Sequence, residues 1–320
     1  MKKIFMMLVG LLMLLTSCNP KRIDTCTPIY VMDTVVNITF YNVDDYKVHY
    51  DKIKKIYQDV DNVSNDFESN SQCNGVYDLN TSRSVEGNDI LIELINSAVN
   101  MMNDTNGYYN PFIGRIAHLW KNAIKNNNIL DGNTIIQELE IMNSTSVEIV
   151  DYTISLKGEG NLDLGGIAKG FATQKAKEYL DSEGIKGYLI NAGNSNIVYG
   201  EKFGEEFKIG FNKPYDDGLY AVVQTNNNAI GTSSPKYQYI EVEGVRYHHL
   251  LNPYTGYPMN YYDSVNILCD NSMYCDVYST AIYSMDLETV KEFEVEKQIN
   301  VLLYKNNDII YKSNGWIMVD

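Results

Sequence analysis

The sequence has little positive charge. Its 320 residues include 26 Lys and Arg against 41 Asp and Glu, which gives a formal net charge of -15. A nucleic-acid-binding surface needs clustered Lys and Arg side chains to meet phosphates, and the sequence shows no such basic patch. We therefore expect no nucleic-acid partner. An acidic protein that binds a phosphorylated ligand usually needs a cation between them, so the charge also hints at a metal ion.

The motifs of several common nucleotide and hydrolase sites are missing as well. The chain has neither GxxxxGK[ST] nor GxGxxG, which argues against a P-loop and against a dinucleotide-binding Rossmann site. It has no nucleophile elbow, no HExxH and no Ser/His/Asp signature, so the common hydrolase patterns are not supported. Its five cysteines form no CxxC pair and no Cys/His cluster of zinc spacing.

The chain also lacks an apolar run of comfortable transmembrane length. A basic start, MKK, precedes the apolar segment Ile4–Leu15, which has the length of a signal-peptide core. The segment Leu15–Cys18 resembles a bacterial lipobox, in which Cys18 becomes the lipidated first residue; an ordinary signal peptide with an incidental cysteine is the alternative. We predict a signal peptide over residues 1–17, a lipid-anchored tether over 18–28 at the extracytoplasmic face of the bacterial cell membrane, and one domain over 29–320.

The other four cysteines leave disulfide pairing open. A disulfide is possible outside the cell, and four cysteines allow three pairings, but nothing in the sequence requires one. These cysteines are Cys26, Cys73, Cys269 and Cys275.

What the chain does have is a mixture of helical and strand-like patterns. Alternating apolar residues predict a strand over Tyr30–Tyr41, whereas helical spacing predicts helices over Asp45–Val63 and Asn88–Met102, the latter capped by Asn88. Further helices are expected over Ile167–Ser182 and Met273–Met285. Because no regular βαβ rhythm, repeat or linker is present, we predict a single α+β domain, layered α/β in architecture, and neither a TIM barrel nor a Rossmann fold.

The stretch DLGGIAKG, Asp163–Gly170, lies where the strand pattern gives way to a helix. Its paired glycines allow backbone to approach a ligand closely, and the first turn of the helix offers N–H groups to an anion. Alone, however, the stretch matches neither of the phosphate-binding motifs above.

A carboxylate and a hydroxyl are paired further along the chain. Asp276 and Thr280 are four residues apart, so in a helix they share one face and can offer two oxygen ligands to a hard cation such as Mg²⁺. The alternative is structural: Asp276 near a helix start would accept backbone N–H bonds as a cap, and Thr280 would simply pack.

Two of the four histidines are adjacent, at His248 and His249. On a strand they would point to opposite faces, so one metal ion could not easily bind both, but one could act as a general base. A surface strand entering an Asn-Pro turn is the other interpretation. Gly231–Ser234 reads as a hydroxyl-rich bend that could bond phosphate oxygens, although such a bend is more often only a turn.

Seven segments, in order along the chain, resemble the ApbE-type FAD:protein FMN transferases, also called thiamine-biosynthesis lipoproteins. Asp163–Gly170 matches DLGGIAKG, the most distinctive run of that family. The others resemble its M-[GD]-T strand, G-x-F-D-P segment, NAGG turn, TSG, Y-x-H-I-[IL]-[DN]-P-x-T-G-x-P stretch and D-A-x-A-T-A helix, and they are Met32–Thr34, Gly107–Pro111, Asn191–Gly193, Thr232–Ser233, Tyr247–Pro258 and Asp276–Ala281. The resemblance implies an ApbE-like, T-fold-like domain over nearly all of the chain after the lipobox.

The resemblance also implies a reaction and a site. FMN would pass from FAD to a Thr or Ser hydroxyl of an extracytoplasmic redox protein that carries a D-G-x-[TS]-G-[AS]-T motif, with release of AMP. Mg²⁺ would bind the Gly166 carbonyl, Asp276 and Thr280, and Asp276 and His249 are the catalytic candidates, His249 as the group that orients or deprotonates the hydroxyl. The residues expected to contact FAD are Met32, Tyr108, Tyr109, Asn110, Asp163, Lys169, Thr232 and His249.

The chain departs from the family pattern at several positions. Asn194 replaces the second glycine of NAGG, Ser234 replaces the glycine of TSG, and Tyr109-Asn110 replaces Phe-Asp. The aromatic residue that usually precedes a Ser-rich loop has Phe67 as its nearest counterpart. Two alternative functions therefore stay open: an Mg²⁺-dependent pyrophosphatase that splits FAD into FMN and AMP, and a lipid-anchored FAD-binding protein without catalysis.

Overall fold

The computed structural model of the protein describes residues 21–225, 229–235 and 239–319. In these ranges the helices are α1 (Tyr46–Ser64), α2 (Val76–Ser82), α3 (Asp89–Asp104), α4 (Gly114–Lys125), α5 (Gly132–Asn143), α6 (Ala168–Ser182), α7 (Ser272–Ile282) and α8 (Leu287–Lys297). No helix among the described residues is both long enough and apolar enough to cross a membrane. The predicted signal peptide and Cys18 lie outside the described residues.

A nine-stranded antiparallel sheet forms the centre of the molecule. Its strand order is β1-β3-β7-β8-β11-β14-β15-β16, with β2 also paired to β3. The strands are β1 (Ile23–Thr25), β2 (Ile29–Val31), β3 (Thr34–Tyr41), β7 (Tyr188–Ala192), β8 (Asn196–Tyr199), β11 (Ala229–Ser233), β14 (Ser264–Cys269), β15 (Asn300–Lys305) and β16 (Asp308–Lys312).

Three smaller sheets complete the fold. One contains β9 (Phe207–Asn212), β10 (Leu219–Thr225) and β17 (Ile317–Met318), and another is the ribbon of β12 (Tyr239–Val242) and β13 (Val245–His248). The third contains β4 (Ser84–Glu86), β5 (Ser146–Val150) and β6 (Thr153–Lys157). The turn between β12 and β13 is Glu243-Gly244, and both residues have positive φ (53° and 77°).

The two faces of the large sheet bury two separate apolar clusters. Side chains alternate between the faces along a strand, so Val198 joins the cluster on the side of α6 and α7, whereas Ile197 and Tyr199 join the other. We call these sides the helix face and the aromatic face. The aromatic face is covered by β9 and β10 and contains Phe211 and Trp316. The helix face holds the larger cluster, which also takes in α1, α3 and α4.

Two predicted elements were wrong. Tyr30–Tyr41 is not one strand: β2 and β3 form a hairpin whose turn residues, Met32 and Asp33, have left-handed φ values of 52° and 53°. Alternation continues through this turn without a Gly or Pro to mark it, so the pattern concealed the reversal. Gly231–Ser233 is not part of a bend but the end of β11, where it pairs with β14.

The structure also settles points at both ends of the large sheet. β1 pairs with β3, with Ile23 opposite Tyr41, so part of the segment 18–28 that we expected to be a tether is paired with the large sheet. Cys269 and Cys275 form a disulfide that links the end of β14 to the first turns of α7, whereas Cys26 and Cys73 are free thiols.

Candidate active site

The DLGGIAKG stretch forms the loop that leads into α6. Its first residue is tied to a neighbouring segment, because the Asp163 N–H donates to the Pro111 carbonyl over 2.8 Å. The Asp163 side chain turns back on the loop, where Oδ1 accepts the Gly165 N–H at 2.7 Å. The bond to Pro111 holds the GYYNP segment and the DLGG segment side by side. These two motifs lie about fifty residues apart in the sequence.

Helix α7 lies very close to α6 and β11 because two glycines face it. A Cβ on Gly170 of α6 would lie 2.5 Å from the Cβ of Asp276, and one on Gly231 of β11 would lie 2.2 Å from the Cys275 carbonyl oxygen. Contacts that short do not occur between real side chains, so only glycine permits this approach. The consequence is that the Asp276 carboxylate reaches the backbone of α6.

Asp276 does not cap its own helix, so the structural alternative for this residue is wrong. The cap of α7 is Asn271, whose side chain accepts the N–H groups of Met273 and Tyr274, and Asp276 lies in the second turn. The Asp276 carboxylate, only 4% exposed, instead accepts the Gly170 N–H at 2.8 Å. A buried carboxylate that is bound to another helix is a group held in place for a purpose other than capping.

Of the three predicted metal ligands, Gly166 lies beside Thr280, and Thr280 follows Asp276 by one turn in α7. A Cβ on Gly166 would be 3.6 Å from Thr280 Oγ1, so the loop backbone passes directly beside this hydroxyl. Thr280 Oγ1 in turn bonds the Asp276 carbonyl at 3.2 Å and lies 3.4 Å from Ser233 Oγ. Among the described residues, no three His, Cys, Asp or Glu side chains group to hold a metal ion. The Gly166 set contains one carboxylate, together with a carbonyl and a hydroxyl.

Lys169 interacts electrostatically with both carboxylates of the site, Asp163 and Asp276. Burial raises the pKa of Asp276, and Lys169, a hydrogen bond from Asn196 and the Gly170 N–H counter that rise. Burial also raises the pKa of Asp163, with Lys169 again acting in the opposite direction. Lys169 lies in the first turn of α6, and its Nζ is 3.4 Å from the Gly165 carbonyl. The site therefore combines two carboxylates with a single ammonium group.

The ends of β3, β7, β8 and β11 bring three more motifs together beside α7. The Gly193 N–H bonds the Val35 carbonyl at 3.0 Å, and the Thr232 N–H bonds the Ser195 carbonyl at 2.7 Å. Thr232 Oγ1 also donates to Asn266 at 3.0 Å. The Met32 N–H, in the turn between β2 and β3, donates to Asp61 of α1 at 3.1 Å. Met32 and Thr232 thus lie at the same end of the strands of the large sheet.

The substituted position Asn194 adopts the backbone that a glycine would favour. Its φ is 59°, a left-handed value that asparagine tolerates better than most residues. The turn is held by two bonds with Asn191, whose side chain accepts the Asn194 N–H at 2.8 Å and donates to the Asn194 side chain at 2.9 Å. The substitution therefore keeps the shape of the turn.

The GYYNP segment places its three predicted flavin contacts in different surroundings. Tyr109 is buried, and its ring lies 3.2 Å from the position that a Gly166 Cβ would take. Tyr108 packs edge-on against Tyr254, with the ring centres 5.1 Å apart. Asn110 is used locally, because its side chain accepts the Phe112 N–H at 2.9 Å. Of these three residues, Tyr109 is the one in contact with the metal-ligand set.

The two adjacent histidines differ in burial and in role. His248 is buried: its Nε2 lies 3.0 Å from the Met259 carbonyl, and its Nδ1 lies 3.1 Å from the Leu250 N–H. Burial lowers the pKa of His248 to about 3, so this residue is a neutral structural side chain. His249 is exposed and follows directly after the last residue of β13, where a macromolecular partner could reach it.

Sequence reasoning missed a second group beside Asp163. His118 of α4 bonds Asp66 at 2.6 Å, and its ring stacks on the exposed ring of Phe67. Asp66 raises the pKa of Asp163 further and His118 lowers it, so both are electrostatic neighbours of the DLGG loop. The available signal was the scarcity of histidine, since His118 is one of only four in the chain.

A family model described as the ApbE family matches residues 32–303. The chain belongs to the ApbE family. A FAD:protein FMN transferase of Klebsiella pneumoniae (strain 342) is 30% identical over 224 residues, which cover 68% of this chain and 69% of the relative. A FAD:protein FMN transferase of Vibrio cholerae is 24% identical over 319 residues, covering 94% and 93% of the two chains.

Solved structures of ApbE proteins share this fold. The ApbE protein of Thermotoga maritima matches with a TM-score of 0.77 at 24% identity, over 88% of this chain and 94% of that one. The flavin transferase ApbE from Vibrio cholerae matches with a TM-score of 0.76 at 22% identity, over 92% and 98%. The family and the α+β fold class that the ApbE motifs predicted are both confirmed.

Proposed function

We propose that this ApbE protein is a FAD:protein FMN transferase, which moves FMN from FAD to a Thr or Ser hydroxyl of a partner protein and releases AMP. The observation that carries the proposal is the position of Asp276, which is buried against Gly170 of α6, lies one turn before Thr280 and is within electrostatic reach of Lys169. The names of the Klebsiella and Vibrio relatives support the same activity.

The residues present fit a magnesium ion. Mg²⁺ prefers oxygen ligands and is usually bound by one or two carboxylates together with substrate phosphates. Asp276 and Thr280 offer a carboxylate and a hydroxyl, and the backbone at Gly166 lies beside the Thr280 hydroxyl. When bound, the ion would supply positive charge to the pyrophosphate of FAD.

Side chains of the protein would neutralise phosphate charge, hold Asp276 in position and accept the hydroxyl proton. Lys169 lies where it can neutralise phosphate charge, and the Gly170 N–H and Asn196 hold Asp276 in position. In the proposed reaction the acceptor oxygen bonds to the phosphorus of the FMN half while the bond from that phosphorus to AMP breaks. The hydroxyl proton passes to a base, and His249 is our candidate because it is exposed to a protein acceptor.

Mass spectrometry tests the proposal directly. The full chain in detergent is mixed with FAD, Mg²⁺ and a peptide carrying D-G-x-T-G-A-T, and the peptide is examined for an FMN-sized increase. We expect an increase that EDTA abolishes and that Asp276→Asn slows at least about 100-fold, since charge placed at a reacting phosphate is worth that much. Asn keeps an oxygen that can accept the Gly170 N–H, so the fold is spared.

The other outcomes identify the alternatives. FMN and AMP without a peptide adduct would mean a pyrophosphatase. FAD that binds and stays intact, with the same affinity for wild type and Asp276→Asn, would mean a binding protein. Transfer to the same peptide with its acceptor Thr changed to Val would contradict hydroxyl transfer.

We further propose that Cys18 carries a lipid that anchors the protein to the extracytoplasmic face of the bacterial membrane. The lipobox-like segment Leu15–Cys18 supports this proposal. A fatty-acid label, such as palmitate, should appear in the wild-type protein and be lost in Cys18→Ala. Equal labelling of both proteins would contradict the anchor.

A further inference from the structure

The hydroxyl group of Tyr109 is one of four buried side-chain polar atoms among the described residues that have no hydrogen-bond partner, together with Asn196 Oδ1, Ser272 Oγ and Trp316 Nε1. The side chain is 4% exposed, yet its oxygen has no hydrogen-bond partner among the residues that the structure describes. Other buried tyrosines in the same ranges do have partners for this group, namely Tyr57, Tyr199, Tyr262 and Tyr283. An unpartnered buried hydroxyl destabilises a fold, so its retention calls for a ligand that completes it.

The position of Tyr109 indicates where such a ligand would lie. Its ring contacts the loop at Gly166, whose neighbour on the other side is Thr280. Asp163 and Asp276 are both close enough to act electrostatically on the Tyr109 hydroxyl, and burial raises its pKa well above the usual value. A phenol is protonated at neutral pH, so the hydroxyl is a hydrogen-bond donor without a partner that lies near two carboxylates.

We propose that the Tyr109 hydroxyl donates a hydrogen bond to a phosphate oxygen of the bound dinucleotide. This inference rests on the proposed function, since it assigns a role within the same FAD site. The ApbE motif G-x-F-D-P has phenylalanine at this position, which has no hydroxyl, so the bond is a property of this chain's own sequence.

A phosphate oxygen is the partner that the surroundings favour. The Tyr109 ring atom Cε2, two bonds from the hydroxyl oxygen, lies 3.2 Å from the position of a Gly166 Cβ, and Thr280 Oγ1 lies 3.6 Å from the same position. A pyrophosphate held by a cation at Gly166 and Thr280 would therefore come close to the hydroxyl. A neutral donor also adds no charge beside Lys169. A hydrogen bond to a charged acceptor is about twice as strong as one between neutral groups, so its loss is measurable as an affinity change.

The test replaces Tyr109 by Phe and measures the affinity for FAD and the melting temperature without ligand. Loss of a purely structural hydroxyl would lower both. Calorimetry with Mg²⁺ should show that Tyr109→Phe binds FAD about 10-fold to 100-fold more weakly than wild type. Riboflavin, which has no phosphate, should bind both proteins equally. Without ligand, the melting temperature of Tyr109→Phe should be equal to wild type or about 2–4 °C higher, because an unpartnered buried group is removed.

Tyr199→Phe is the matched control. Its hydroxyl is also buried but donates to Thr225 at 2.9 Å on the aromatic face. This variant should melt about 2–4 °C below wild type and bind FAD with unchanged affinity.

Each other outcome has one meaning. Unchanged FAD affinity in Tyr109→Phe, or an equal loss for FAD and riboflavin, would overturn the assignment of a phosphate contact. A lower melting temperature would show that the hydroxyl already has a structural partner, which would also overturn it. Wild-type protein that binds no FAD would instead refute the proposed function, so the two failures are distinguishable.

Discussion

The two faces of the large sheet are packed by opposite means. On the aromatic face, large rings fill the space: Phe207 packs against Tyr199 and Tyr41, with ring centres 4.9 and 5.8 Å apart. On the helix face, Gly170 and Gly231 remove side chains altogether so that backbones touch. Both arrangements bury the sheet, but the second also lets the side chain of Asp276 in one helix bond the backbone of another.

The difference shows what each face contributes. Apolar rings stabilise the folded protein in proportion to the surface that they remove from water, and this stabilisation depends little on their exact orientation. The helix face also holds buried polar groups, among them Asp276, Ser233 and Ser279, which bond one another or backbone and so offset the cost of their burial. We infer that both faces supply stability through their apolar clusters, and that the helix face also holds the site.

The largest expected effect tests the aromatic face. Phe207→Ala removes a ring that is 4% exposed and should lower the free energy of unfolding by about 4 kcal/mol, the usual cost of such a cavity. Urea unfolding measures the loss. FMN transfer per folded molecule, assayed at low temperature, should match wild type. A large fall in transfer by fully folded Phe207→Ala would break the division between the two faces.

The next effect tests the helix face. In Gly170→Ala the new Cβ would lie 2.5 Å from Asp276 Cβ and 2.6 Å from the Ser272 carbonyl oxygen. We expect a loss of about 2–3 kcal/mol from overpacking, even though Ala favours helix by about 1 kcal/mol. Transfer per folded molecule should also fall at least about 10-fold, because a shift of Asp276 misplaces a ligand.

Gly132→Ala is the matched control for that substitution. Gly132 opens α5, and the nearest atom to its Cβ would be Tyr257 Oη at 3.5 Å, an ordinary contact. Its stability and transfer should stay close to wild type. If Gly170→Ala behaved the same way, close backbone packing would not be what positions Asp276.

Much of this arrangement could be predicted from the sequence, within limits set by chain distance. Local patterns predicted the cap Asn88, which accepts the Leu91 N–H, and the shared helix of Asp276 and Thr280. They did not predict that Asp276 bonds Gly170, because the two residues are 106 positions apart and no local spacing encodes that contact. The motif resemblance brought the same residues into one site without saying how they touch.

The missed elements have physical reasons too. Helix α2 has only seven residues, too few for a period of 3.6 to stand out. The turn at Met32 uses left-handed non-glycine residues, which carry weak turn signals. The unpartnered Tyr109 hydroxyl could not be foreseen at all, since the lack of a partner is known only once every neighbour has been placed.

A smaller effect is expected from the disulfide between Cys269 and Cys275. It joins β14 to α7, the helix that carries Asp276, and closes a loop over a separation of six residues. Replacing both cysteines by Ala should cost about 2 kcal/mol of unfolding free energy, the amount expected for a short loop. A reductant should lower the stability of wild type by the same amount as the double substitution does, and it should leave the double variant unchanged. The Cys26→Ala variant should respond to the reductant as wild type does. Reductant sensitivity that persists in the double variant would contradict this assignment.

The last prediction concerns pH and again separates the two faces. His248 packs edge-on against Tyr283, just beyond α7, and burial lowers its pKa to about 3. The unfolded chain binds this proton near pH 6.5, so stability is fully present above that pH and falls as the pH drops toward 3. The slope from this group is about 1.4 kcal/mol per pH unit between roughly 6 and 4. Urea unfolding should show His248→Gln with a shallower dependence, whereas Phe207→Ala, which removes no titrating group, should keep the full slope. Equal slopes in wild type and His248→Gln would mean that the imidazole takes up its proton within the folded protein.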